Sequence, residues 1–249
     1  MHGATHPKAP PSHTARFYSV DVGLVHFVAL DLNVYYFTTE GVWAAAQLSW
    51  LEKDLAAAHA NRGKVPWILV GSHYPIYCTS RTLAGGLHDD GQGEEGVEDS
   101  QNCWSYAGEI QRVRDELEPL FARYGVDVYF AGHEHDYEST WPVMNSTVLD
   151  RSFVDPAGPV HFTTGAGGAP SLDKFGTAAA FTRKRLSAWA YGRLTVTNAS
   201  YLRYDHILNS DDSIYDTVEI LKTAHVAYAA PPRRAMLPAG ATRAMKRRL

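Results

Sequence analysis

Apolar positions along this 249-residue chain recur at two spacings, and the switch between them marks the elements. In RFYSVDVGLVHFVALD (Arg16–Asp31) β-rich runs flank Asp-Val-Gly, which predicts a hairpin. WAAAQLSWLEKDLAAAHANRG (Trp43–Gly63) places Leu48, Leu51 and Leu55 on one helical face and stops at Asn61-Arg62-Gly63. VPWILVGSH (Val65–His73) reads as a buried strand ending in glycine and a polar cluster. The Gly-rich, acidic stretch Leu83–Asn102 reads as a long solvated loop. Tyr106–Gly125 is helical again, with Ile110, Val113, Leu117, Leu120 and Phe121 apolar, and Pro119 predicts a kink or break. Val126–Ala131 is a strand running into AGHEHDYEST, and VHFTTGAGG (Val160–Gly168) is a strand followed by a glycine turn. YGRLTVTNASYLRYDHIL and SIYDTVEILK alternate as three antiparallel strands ending near Lys222. Helix alternating with strand, then strands alone, predicts a layered α/β fold with helices covering a sheet.

Residues 1–15 read as an N-terminal loop and 16–222 as the folded part. Residues 223–249 carry six Lys or Arg and no acid, so they read as a basic, disordered tail. A composition of 45% hydrophobic and 20% charged residues is globular, and the length suits one large domain or two small ones. A net charge of −4 points to neither nucleic acid nor an anionic membrane as partner. No apolar run approaches the roughly 18 residues that span a bilayer. The polar, proline-rich N-terminus lacks the apolar core of a signal peptide. Cys78 and Cys103 form one disulfide or stay as two thiols. Sequons at Asn145-Ser146-Thr147 and Asn198-Ala199-Ser200 are glycosylation candidates.

The chemistry gathers at two strand ends. In layered α/β proteins, sites form in loops beyond the carboxyl ends of strands. His73 lies at one such end, in LVGSHYPIY; His133 and His135 lie at the other, in YFAGHEHDYE. Neutral imidazole is the commonest metal ligand near pH 7, and the preceding glycines leave room for an ion. The intervening Glu134 and Asp136 read as a solvated loop, with a hydrogen bond to a ligand histidine as the alternative. Other patterns fail: H-E-x-x-H would need histidine at Tyr137, the cysteines are too far apart for a deaminase, and GAGGAP (Gly165–Pro170) lacks dinucleotide or P-loop spacing.

GSHYPIYC and AGHEHDYE resemble the last two metal-binding blocks of calcineurin-like metallophosphoesterases, above all purple acid phosphatases. FYSVDVGLVHFVALD, QLSWLEKDLAAA and YGRLTVTNASYLRYDHI follow that family's order, so the resemblance runs from about Arg16 to Lys222. It implies two mixed sheets face to face with helices outside, of which this chain would form the C-terminal half of a four-layer α/β/β/α sandwich. It implies two metal ions: a divalent zinc, manganese or iron(II) held by His73 and His133, and a ferric ion held by His135. The implied reaction is phosphate monoester hydrolysis at acidic pH, by in-line attack with no phosphoenzyme. It further implies a Cys78–Cys103 disulfide and a secreted protein acting on a small phosphate ester.

The sequence also departs from the family. No G-D dipeptide precedes His73, no G-N-H-E occurs, and Ser139 replaces the family's arginine after Tyr-Glu. Those blocks supply oxygen ligands, so weak or partial metal occupancy is expected. A missing half would also leave a bare sheet edge and an apolar face. The family's substrate-contacting histidine has no match near Thr82, and His88 is the one nearby substitute. Two other readings remain: a non-catalytic product binding a metal or partner through the same histidines, and a fragment that does not fold.

Overall fold

A computed structural model of the chain describes residues 12–37, 41–81 and 107–229. The first hairpin is β1 (Tyr18–Val22) and β2 (Val25–Leu30), with Gly23 at φ +59° in the turn. A short helix α1 (Asn33–Tyr36) and the long α2 (Val42–Ala60) lead to β3 (Trp67–Ser72) and the two-residue β4 (Ser80–Arg81). Helix α3 (Ala107–Tyr124) feeds β5 (Val128–Ala131), and β6 (Tyr137–Thr140), β7 (Val143–Met144) and β8 (Thr147–Val148) follow. Next come β9 (Val160–Thr164), β10 (Lys174–Phe175) and β11 (Thr182–Leu186). The last elements are β12 (Ala190–Asn198), β13 (Tyr201–Leu208) and β14 (Ile214–Leu221), the antiparallel trio that the alternation predicted.

Seven strands form one mixed sheet in the order β1-β2-β3-β5-β9-β6-β11. The central pairs β2–β3, β3–β5 and β5–β9 are parallel, so their carboxyl ends open on the same side. The alternation in β2 sets the layers. Val28 and Leu30 face α2 and α3, where Leu51, Leu55, Val113, Leu117 and Phe121 are buried with Ile68 and Val70. The opposite face presents Trp67, Leu69, Val128 and Phe162 to Leu202, Tyr204, Val218 and Ile220 of the three-stranded sheet. The described residues thus form helix, sheet and sheet layers. Pro119 does not break α3, because the flanking Leu117, Leu120 and Phe121 are buried and their packing offsets the roughly 3 kcal/mol that an interior proline costs.

The second sheet does not cover everything. Val25, Phe27 and Ala29 are half-buried, and their cross-strand partners Val22, Val20 and Tyr18 are exposed. β1 is thus an edge strand of the seven-stranded sheet and carries an exposed apolar stripe. At the other end, the chain does not leave the body after β14. Lys222 is buried against Asp127, His225 contacts the Ala199 carbonyl at 2.6 Å, and the Tyr228 amide donates to the Ala122 carbonyl at 2.8 Å. Residues 223–229 are thus a packed strap; the rest of the expected basic tail lies outside the described residues.

His161 of β9 is buried between the rings of Tyr77 and Tyr129, at centroid distances of 4.9 and 5.4 Å, with no well-formed hydrogen bond at either nitrogen. Burial, helped by the nearby Arg114 charge, pulls its pKa down to about 3. A histidine buried neutral contributes stability above its unfolded pKa near 6.5 and loses it as pH falls toward the folded value. At pH 5 the loss relative to pH 7.5 is about 2 kcal/mol. His161→Phe keeps the ring contacts and cannot charge. Urea unfolding of both proteins at pH 7.5 and 5 is expected to show the variant gaining about 2 kcal/mol on the parent at the lower pH. A pH-independent difference would remove His161 as the cause.

Candidate active site

The carboxyl ends of β3 and β5 are adjacent, with Ser72 opposite Ala131 in the parallel register. β3 carries Gly71 just before its end at Ser72 and β5 leaves through Gly132, and each is followed by a histidine, His73 and His133. The Gly132 amide donates to the His73 carbonyl at 3.0 Å, which ties the two turns together. His133 then takes a left-handed backbone, φ +65°, unusual for a side chain with a Cβ. The result brings His73 Nε2 and His133 Nδ1 to 3.0 Å. Tyr74 forms the wall beside them, its ring centroid 4.7 Å from His73 and 4.4 Å from His133. The Tyr129 hydroxyl donates to the Tyr74 carbonyl at 2.9 Å and holds that wall in place. An open cleft of about 340 Å³ lies alongside, lined by Phe27, Ala29, Gly71, Phe130 and His73.

Electrostatics favours neutral imidazoles. Partial burial, then the nearby His135, lowers the His73 pKa. Burial, then His73 and His135, lowers that of His133 to about 4, against the opposing charge of Asp173. Neutral imidazole is the form that binds a metal. Two nitrogens on a tetrahedral zinc stand about 3.3 Å apart, given Zn–N of about 2.0–2.1 Å. The 3.0 Å between His73 Nε2 and His133 Nδ1 is close to that spacing, but here the two rings are hydrogen-bonded to each other, one nitrogen donating to the other. No group of three or more His, Cys, Asp or Glu side chains gathers to complete a metal site among the described residues. The arrangement therefore does not fit a closed two-ion centre.

His135 lies close enough to depress both neighbours, and its own backbone is held by Asp173. The His135 amide donates to Asp173 Oδ2 at 2.6 Å, and the Asp173 amide donates back to the His135 carbonyl at 3.2 Å. Asp173 follows β9, 38 residues along the chain, and no local sequence signal marked it.

Glu134 and Asp136, expected on a solvated loop, are instead buried, with 1% and 0% exposure. Glu134 and Asp136 lie in the bend before β6 and Glu138 lies within it, in a segment whose residues 136–140 are all buried. The Ser80 hydroxyl donates to Asp136 Oδ2, and the Thr79 amide donates to Glu138 at 2.6 Å. Burial, then the neighbouring carboxylates Glu134, Glu138 and Asp173, pushes the Asp136 pKa up to about 8 against its Ser80 hydrogen bond. Ser139, where the family has arginine, is buried and donates to Asp216 at the outer limit of 3.5 Å.

Cys78 is buried and disulfide-bonded, while Cys103 and His88 lie outside the described residues. Asn198 is exposed beside the β12–β13 turn. Asn145 is half-buried in the β7–β8 turn, with its amide on Glu118. No described helix is long and apolar enough to cross a membrane.

This α/β arrangement, with histidines at adjacent parallel strand ends, is that of a metallophosphoesterase. The family model described as calcineurin-like phosphoesterase matches residues 11–137, and that of iron/zinc purple acid phosphatase-like protein C matches residues 158–217. The chain belongs to the calcineurin-like phosphoesterase family, in its purple acid phosphatase branch. It is 30% identical to human acid phosphatase type 7 over 223 residues, covering 86% of this chain and 48% of that protein. Purple acid phosphatase 21 of Arabidopsis thaliana is 31% identical over 216 residues, covering 83% and 40%. The probable inactive purple acid phosphatase 9 of the same plant is 29% identical over 230 residues, covering 88% and 30%. The chain thus spans about half or less of the length of these relatives. The solved purple acid phosphatase from yellow lupin shares the fold, with a TM-score of 0.61 at 24% identity, covering 83% of this chain and 32% of that one.

Proposed function

We propose that this chain carries the histidine side of a metal-dependent acid phosphatase site that hydrolyses small phosphate monoesters. The observation carrying this reading is the approach of His73 Nε2 and His133 Nδ1 at neighbouring strand ends. A divalent ion there would supply charge neutralisation for a phosphoryl group. The chain's own contribution is to bring two imidazole nitrogens to 3.0 Å of each other, to fix them through the Gly132–His73 backbone bond, and to wall the site with Tyr74. His135 would serve the second ion of a binuclear centre. The oxygen ligands of the family's G-D and G-N-H-E blocks are not in this sequence, so occupancy would be partial. The disulfide at Cys78 and the exposed sequon at Asn198 support a secretory-pathway protein.

The test is zinc titration by calorimetry beside a p-nitrophenyl phosphate assay at acidic pH. Wild type is expected to bind zinc and turn over, and His133→Ala to lose both. A wild type that binds no zinc would sink the reading. A specific observation favours a second reading, a non-catalytic metal-binding protein: the described residues do not close a metal site. Stoichiometric zinc without turnover would select it.

A further inference from the structure

We infer that Asp173 is a positioning residue that sets the His133–His135 loop for metal binding; this rests on the metal-site reading above. The loop leaves β5 with a left-handed residue, His133, and turns back into β6 within four residues, with one local bond from the Glu134 amide to the Gly132 carbonyl at 2.8 Å. At His135 the support comes from across the fold. Asp173 clasps His135 at both backbone groups, accepting from its amide at 2.6 Å and donating to its carbonyl at 3.2 Å. The first of these is a hydrogen bond to a carboxylate, shorter and stronger than one between neutral groups. Asp173 is fixed in turn by the Ser187 hydroxyl, which donates to its carbonyl at 2.7 Å. A relay therefore runs from Ser187, at the end of β11, through Asp173 to the backbone of His135.

The geometry divides the labour. The His73–His133 contact is pinned on one side by the Gly132–His73 backbone bond. The far side of the same loop has the Asp173 clasp. Losing its carboxylate half would leave His135 held only by the weaker bond from the Asp173 amide and would let the His133 ring drift from His73. Groups outside the ligand set that orient the ligands typically change metal affinity by about 10–100-fold when removed. Asparagine at position 173 keeps a side-chain acceptor without the charge; alanine removes both.

The experiment uses the full chain with zinc as probe, in wild type, Asp173→Ala, Asp173→Asn and Ser187→Ala. Calorimetry reads zinc affinity, and NMR hydrogen exchange reads the His135 amide. Asp173→Ala is expected to weaken zinc binding about 10-fold or more and to speed His135 exchange by a similar factor. Asp173→Asn should recover most of both, a rescue that non-specific loss of packing would not show. Ser187→Ala, at the exposed end of the relay, should move both readouts the same way by less, and serves if Asp173→Ala fails to fold. Wild-type zinc affinity and unchanged His135 exchange in Asp173→Ala would overturn the inference. If wild type binds no zinc, the metal-site reading fails, while His135 exchange still decides whether Asp173 holds the loop.

Discussion

Asp127→Ala is expected to lower the unfolding free energy by about 3–5 kcal/mol, the cost of removing one partner from a buried ion pair. Asp127 immediately precedes β5, is 1% exposed and meets two buried cations: Arg62 Nη1 at 3.0 Å and Lys222 Nζ at 2.5 Å. It also accepts the Ile68 amide at 2.8 Å, which joins β3 to β5 at the end of the sheet opposite the histidines. Removing the carboxylate strands both cations and that amide together. Burial alone would raise the Asp127 pKa, but Lys222, His225 and Arg62 outweigh it and hold it well below the usual range. A depressed carboxylate pKa gives stability that is present above the unfolded value near 3.9 and is lost only as pH falls through the folded one. The network should therefore stay intact at pH 5, where the His161 effect already operates. Urea unfolding at pH 7 measures the loss. Asp127→Asn keeps an acceptor for Ile68 but leaves the cations unpaired, so it should also destabilise strongly. A loss below about 1 kcal/mol would place the pair among exposed bridges in energetic terms. Since Lys222 also reaches the Tyr228 hydroxyl at 3.2 Å, the strap at 223–229 should loosen in both variants.

The hairpin, α3 and the last three strands were legible because each element buries one face with its own apolar residues. In α3, Ile110, Val113, Leu117, Leu120 and Phe121 are all buried, as their spacing indicated. Helix α2 was legible only in part. Its buried seam includes Gln47 and Asp54, which a pattern of apolar residues cannot show. Gln47 accepts the Asp31 amide at 2.8 Å, and Asp54 meets His26 at 2.9 Å and Ser19 at 2.7 Å, all partners from distant segments. The histidine pair was visible for a local reason: each follows a glycine at the end of an apolar strand. Asp173 and the burial of Glu134 and Asp136 were not visible, because both depend on which segments cross that loop. Carboxylates are exposed by default, and it is the arrival of Thr79 and Ser80 from beyond β3, with Thr182 of β11, that gives Asp136 and Glu138 interior partners.

Gly165→Ala is expected to abolish zinc binding at His73 and His133 and to cost about 1–3 kcal/mol of stability, the range for overpacking. A Cβ on Gly165 would lie 2.1 Å from the Glu134 carbonyl oxygen, 3.0 Å from its carbon and 3.2 Å from the Gly132 carbonyl carbon. All three atoms are backbone, so no side chain can rotate away; the histidine loop itself must move. The Gly165 amide also donates to the Asp136 carbonyl at 3.2 Å, so the two segments are bonded as well as in contact. The same run of sequence contains its own control. A Cβ on Gly168 would meet nothing within 4 Å, and its φ is not left-handed, so Gly168→Ala should change neither stability nor zinc affinity measurably. The pair separates two roles that GAGG could have in this chain. A generic flexible turn would make the substitutions similar. A close-approach site requires glycine only at 165, because there the strand end of β9 presses directly against the loop that carries His133 and His135. Zinc calorimetry and thermal unfolding of the two variants distinguish these outcomes, and equal effects would show that the approach of Gly165 to Glu134 does not hold the loop.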